Sequence, residues 1–227
     1  MTDVPIVGES RGIRLAIALP SHEMIPVTFA QDLAGLIMFT MSAMPEGTDL
    51  GVTLVEGTYV HRARQQLIEG LMEAGVTHIL WLDTDMRFPQ ESLAILFRHN
   101  VDMVGINYAK RQIPTDYVAL KEIYTDGRVS KRLVTDENST GLEDVDAIGF
   151  GMVLMKTSAL RRLPSPKGAP WFFFEILPGG QHVGEDVYFC RLFKKHGGRI
   201  LVDHDLSKLC AHTGMWEYKL DHVFPAE

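Results

Sequence analysis

In "THILWLDTDMRFP" (77–89) an apolar run ends on two acids one residue apart, Asp83 and Asp85. Carboxylates that close repel one another unless a cation, hydrogen-bond donors or water compensate them. A divalent ion held by their hard oxygens would cancel the repulsion and keep positions open for phosphate oxygens. An isolated Asp-x-Asp triplet is more often a solvated turn, but its place directly after a run that reads as a buried strand reverses that preference and favours the ligand reading. Arg64 falls on the apolar stripe of Val60, Leu67 and Leu71, whereas Arg62 points elsewhere. An arginine on such a stripe needs an anion, either a structural carboxylate such as Asp83 or a nucleotide phosphate. Lys110 and Arg111 are placed to neutralise a diphosphate or to form a solvated loop. Glu185 and Asp186 follow the glycine-containing "PGGQHVG" (178–184). Acids there complement a helix dipole, or accept a proton from an attacking hydroxyl beneath a loop able to fold over a substrate. His212 is a nitrogen ligand or a structural histidine. Trp171 and Phe172 to Phe174 are sugar-stacking platforms or core.

These residues need a frame. Short β-compatible runs at 13–19 and 51–55 flank an apolar-rich helical segment at 29–44, and a second helix at 59–74 stops at Gly75 before a third strand at 77–82. "PQESLAILFRHN" reads as a short helix and "VDMVGINY" as a fourth strand. Alternating strands and helices predict a mostly parallel sheet with helices on both faces, whose ligands collect beyond the carboxyl ends of the strands. Asp83, Asp85, Lys110 and Arg111 all stand at such ends. From Pro114 the pattern turns to strand-like pieces, "YVALKEIY", "GRVSKRLV" and "DVDAIGFGMVLM", which predict an antiparallel extension. A brief helix at 158–163, a strand in "PWFFFEI", a helix in "EDVYFCRLFKKHGG" and closing strands in "RILVD" and "KLCAH" complete the chain. The expectation is one α/β domain: a nucleotide-binding half (13–112), an acceptor and catalytic half (113–214) and a tail (215–227).

With 227 residues, 46% hydrophobic and 22% charged, the chain has the composition of an ordinary globular domain that needs no staple. A formal charge of −7 disfavours a general attraction to nucleic acid or anionic membrane. Two cysteines in apolar surroundings support neither a disulfide framework nor a cysteine-rich zinc site, and they point to a reducing, cytoplasmic location. The first residues lack the pattern of a signal peptide, and the run at 13–19 is too short to span a bilayer.

As an ordered set, the β-α-β start, "THILWLDTDM", "DAIGFGMVLMKTSAL", "GEDVYFCRLFKKHGGRI" and the late histidine resemble a family: the nucleotide-sugar-dependent glycosyltransferases of the A-type fold, in the manner of family-two-like bacterial or phage members. The resemblance spans roughly 13–214. It implies a nucleoside-diphosphate sugar as donor and Mn2+ or Mg2+ as cofactor, with Asp85 as direct metal ligand. Asp83 would contact ribose or a metal-bound water, and His212 would complete the shell. Arg64, Lys110 and Arg111 would lie on the donor side. Glu185 would hold the acceptor, with Trp171 and Phe172 beside it, and Asp186 would be the catalytic base of an inverting transfer. The first strand ends "ALPSHE", where many members hold the nucleotide base; Pro20, Ser21 and Glu23 stand there, and the nucleotide stays open. The acceptor would be a glycan, a protein or a small molecule, with modified DNA disfavoured by the net charge.

Other readings place Asp-x-Asp after a strand as well. Aspartate-nucleophile phosphatases continue to Thr or Val where this chain has Arg87, and nucleotidyltransferases of this architecture expect a glycine-rich phosphate loop absent from "LPSHEMIP". A non-catalytic sugar-nucleotide or carbohydrate-binding module of the same fold is the remaining alternative.

Overall fold

The computed structural model describes residues 12–57, 59–122, 130–178, 180, 182–214, 217–220 and 223. The opening is β1 (Arg14–Ser21), α1 (Val27–Ala43), β2 (Asp49–Glu56), α2 (Val60–Ala74) and β3 (His78–Leu82). There follow β4 (Met86–Arg87), α3 (Ser92–Arg98), β5 (Met103–Gly105), β6 (Leu120–Glu122), β7 (Ser130–Arg132), β8 (Leu142–Val145), β9 (Met152–Lys156) and α4 (Thr157–Leu160). The last part holds β10 (Glu175–Ile176), β11 (His182–Val183), α5 (Glu185–Lys195), β12 (Ile200–Asp203), α6 (His204–Ser207), β13 (Ala211–Thr213) and β14 (Glu217–Tyr218). None of the helices among the described residues is long and apolar enough to cross a membrane.

The main sheet has seven strands in the order β2-β1-β3-β9-β5-β12-β8. β9 and β8 run against the other five, which share one direction, so the fold is α/β with a mostly parallel sheet and small antiparallel sheets beside it. Alternation of side chains splits the core into two layers. Ala16, Ala18, Ile79, Trp81, Val153 and Val202 pack with α2 and α5 on one face. Leu15, Ile17, Leu80, Leu82, Leu154 and Leu201 pack with α1 and α3 on the other. Central strands are therefore apolar without interruption, because both of their faces are covered. α2 ends as the sequence predicts: Gly75 takes the left-handed conformation (φ 69°) and donates its N–H to Leu71 and Met72.

Two expectations change. "DVDAIGFGMVLM" is not one strand of an extension: β8 ends at Val145 and Met152–Lys156 enters the middle of the main sheet, antiparallel between β3 and β5. Met152 to Met155 are buried, which an unbroken apolar run satisfies only in a central strand. "PWFFFEI" is a strand only at Glu175–Ile176, since Trp171 and Phe172 turn into the core instead. The pieces around 123–129 lie outside the described residues, and what is described of the segment after 214 includes β14, paired with β13.

The bend between β8 and β9 depends on small residues. A Cβ on Gly151 would lie 2.7 Å from Cζ of Tyr108 and 2.9 Å from Sδ of Met86, and Gly149 meets the same tyrosine. Tyr108 is buried and accepts a hydrogen bond at 3.1 Å from the Gly151 N–H. Gly151→Ala is expected to cost about 1–3 kcal/mol through overpacking, measured by urea unfolding. An unchanged midpoint would mean that Tyr108 moves freely.

Candidate active site

β3 delivers Asp83, Thr84 and Asp85 to the carboxyl edge of the sheet, where distant backbone fixes the turn. The Asp83 N–H donates to the Gly151 carbonyl at 3.0 Å. Thr213 donates to the Asp85 carbonyl twice, from its N–H at 2.6 Å and its hydroxyl at 2.7 Å. β4, directly after the acids, pairs antiparallel with β13, setting His212 opposite Met86. This two-residue ladder brings the late histidine to the Asp-x-Asp.

The Asp85 carboxylate is shared among several groups. Its Oδ2 lies 3.3 Å from His212 Nε2 and 3.0 Å from Arg111 Nη1, while its buried Oδ1 has no hydrogen-bond partner among the described residues. Burial pushes this carboxyl up, but the hydrogen bond and charge of His212, with Arg111, outweigh burial and hold it below the ordinary aspartate range. His212 Nδ1 is 3.2 Å from the Ala109 carbonyl, to which it must donate. Nε2 then meets Asp85 either as the N–H of an imidazolium or, in the neutral ring, as a lone pair facing a carboxylate. The second arrangement is a donor pair for a divalent cation, with the carbonyl fixing the tautomer as metal-bound histidines require. Tyr108 packs edge-on against the imidazole with ring centres 5.2 Å apart. Among the described residues no cluster of three or more His, Cys, Asp or Glu is gathered to hold an ion alone. Asp85 and His212 offer one carboxylate oxygen and one imidazole nitrogen, donor types that a divalent ion accepts.

Asp83 faces the other way. Arg64, buried on the inner side of α2, donates from Nη2 to both Asp83 oxygens at 2.8 and 3.0 Å and from Nη1 to Glu185 Oε1 at 2.5 Å. Its guanidinium sits over the Phe150 ring, 5.3 Å from the centroid, and its buried Nε has no hydrogen-bond partner among the described residues. Burial alone would lower the Arg64 pKa; the charges of Asp83 and Glu185 reverse that and raise it. Burial raises the Asp83 and Glu185 carboxyls, with Arg64 opposing the rise in each. Of the two partners open for Arg64 from sequence, the structure supplies the carboxylate. Arg64→Ala would strand two desolvated acids and is expected to cost about 3–5 kcal/mol, visible as a large fall in melting temperature.

The remaining predicted residues sort by burial. Asp186 is half-buried in the first turn of α5, accepts a hydrogen bond at 2.7 Å from the Val187 N–H, and its charge acts on Arg64, Tyr108 and Lys110 alike. Lys110 lies 3.6 Å from Asp116; burial, helped by Arg132, lowers its pKa. Pro20 is buried at the carboxyl end of β1, next to β3. Glu185 is buried against Arg64 and is turned away from solvent. Trp171 and Phe172, each 1% exposed, belong to an aromatic cluster with Trp81, Phe150 and Phe189, so they support the site from below and offer no open face. Their neighbours Phe173 and Phe174 are 49% and 46% exposed. Tyr108, Gly151 and Thr213 are parts of the site that sequence reasoning missed; the pair of glycines around Phe150 was the one local signal of a close approach.

No protein-family description matches this sequence, and no curated protein does. The chain shares its fold with A197 from STIV. That crystal structure superposes with a TM-score of 0.52 at 18% identity, over 89% of this chain and 86% of A197. Such identity speaks for the fold alone. A glycosyltransferase involved in the glycosylation of the major capsid of PBCV-1 gives a TM-score of 0.33 at 17% identity over 69% of each chain, too loose a likeness to argue from.

Proposed function

We propose that this protein is a metal-dependent glycosyltransferase that moves a sugar from a nucleoside-diphosphate sugar to an acceptor hydroxyl with inversion. The observation that carries the reading is the Asp85–His212 pair: a buried carboxylate oxygen without a hydrogen-bond partner among the described residues, beside an imidazole whose other nitrogen is committed to a carbonyl. Asp85 and His212 would hold Mn2+ or Mg2+, and the bound ion would neutralise charge on the departing diphosphate. Arg111, half-exposed and paired with Asp85, would turn to a phosphate oxygen, and Lys110, its neighbour in the chain, adds charge. Asp186 takes the proton of the attacking hydroxyl. Glu185 and Arg64 anchor the first turn of α5 to Asp83, which sets Asp186 in register with the donor side.

Both oxygens of Asp83 accept from Arg64, and a carboxylate held that way is a poor nucleophile, which argues against a phosphatase of the aspartyl type. Incubation with a panel of nucleotide sugars and manganese, without acceptor, tests the assignment. Slow release of a nucleoside diphosphate is expected. Release of inorganic phosphate would favour the phosphatase, and binding without either product would favour a non-catalytic module.

A further inference from the structure

We infer that the acceptor is a saccharide, seated on an exposed aromatic surface that flanks Asp186; the inference rests on the transferase reading for the role of that acid, though not for the surface itself. Phe173 and Phe174 stand 49% and 46% exposed and Tyr59 60% exposed, unusual for rings that have a core at hand. They form two groups. Phe174 meets His61 edge-on at 5.5 Å, and His61 meets Tyr59 at 5.9 Å, with the Arg62 guanidinium over the Tyr59 ring at 5.5 Å. Phe173 meets Tyr188 on α5 at 5.8 Å, about 200° around the helix from Asp186. The pairing of β10 with β11 brings the Phe174 group toward the acid: Glu175 pairs with Val183, which sets the chain at Phe174 level with Gly184, two residues before Asp186.

The chemistry of this surface selects its occupant. A lipid or a protein core asks for continuous apolar cover, whereas here the rings touch His61 and Arg62, and β10 and β11 add Glu175 and His182. A sugar presents C–H faces to aromatic rings and hydroxyls to polar groups around them, so it satisfies both sets at once. The first turn of α5 then sits where a hydroxyl of the stacked ring would arrive. Of the run Trp171 to Phe174, expected as stacking platforms or core, Phe173 and Phe174 thus take the first part and Trp171 and Phe172 the second.

A printed glycan array probed with the full-length chain, followed by titration of the best-bound free oligosaccharide by saturation-transfer NMR, tests this. Wild type should bind at least one glycan. The double variant Phe173→Ala, Phe174→Ala should weaken that binding about tenfold or more, the loss expected for two stacking rings, while Phe174→Trp retains it. Both rings are about half exposed, so the variants should lose some stability yet remain folded, as a cooperative melt checks. A wild-type chain silent across the array overturns the inference, as does a double variant that binds glycan unchanged or loses nucleoside-diphosphate affinity instead. Glycan binding that persists while the diphosphate shows no dependence on manganese would remove the donor reading and leave the saccharide surface standing.

Discussion

Asp186→Asn is expected to lower turnover about 10²-fold or more, while the affinities for manganese and nucleoside diphosphate stay as in wild type. Glu185 and Asp186 are neighbours in the first turn of α5, about 100° apart around the helix, so they cannot face the same group. Glu185 is fixed: its carboxylate lies against Arg64 at 2.5 Å and is buried. Asp186 is the acid of the pair left half-open, and its charge reaches Arg64, Tyr108 and Lys110. Asparagine keeps the shape and the hydrogen bond to the Val187 N–H but cannot take a proton. Loss of one first-turn charge costs only about 0.3–1 kcal/mol through the helix dipole, so the variant should remain folded. Near-wild-type turnover on a true acceptor would return Asp186 to the bland role of a dipole partner. Glu185→Gln makes the contrast. Sequence reasoning expects it to act on the acceptor's Michaelis constant, whereas the geometry predicts a fall in stability, because a neutral amide replaces one of the two acids that compensate a buried guanidinium.

What was legible in the sequence was local. The run 79–82 with two acids behind it, the stripe of α2 and its glycine stop, and the acids opening α5 are patterns within one element, and each stands where those patterns put it. The need of Arg64 for an anion was equally readable, since burial of an unpaired guanidinium is too costly to leave open. That its second anion is Glu185, 121 residues away, could not be read, because nothing in the spacing of two residues on different helices encodes their contact. The same limit hid the ladder between β4 and β13. Strands of two or three residues have no periodicity, and yet this one places His212 beside Asp85. β9 was misplaced for a related reason: its apolar run fixes that it is buried, not which strands bury it. The aromatic run failed differently. Trp171 to Phe174 are all apolar, so no alternation distinguishes the two that turn inward from the two that face solvent.

Asp85→Ala is expected to abolish the dependence of nucleoside-diphosphate binding on manganese. In wild type the metal and the diphosphate should each tighten the other by the same factor, about 5–150-fold for couplings of ordinary size, since linkage is reciprocal. The protein's share of the shell would be small: with Asp85 and His212 as donors, phosphate oxygens must supply much of the rest, so neither ligand binds well alone. Removing Asp85 leaves a lone imidazole, and the coupling has nothing to act through. A second consequence separates this from simple damage. Arg111 lies 3.0 Å from Asp85 Oδ2, and without that carboxylate its charge is no longer compensated. Metal-free affinity for the diphosphate should therefore match or exceed that of wild type, because one negative charge near the phosphates has gone and one positive charge has been released. A variant that had merely lost its fold would bind less in both conditions. Isothermal calorimetry with and without manganese reads both effects, and equal diphosphate affinity with and without metal in the wild-type protein would sink the assignment of Asp85.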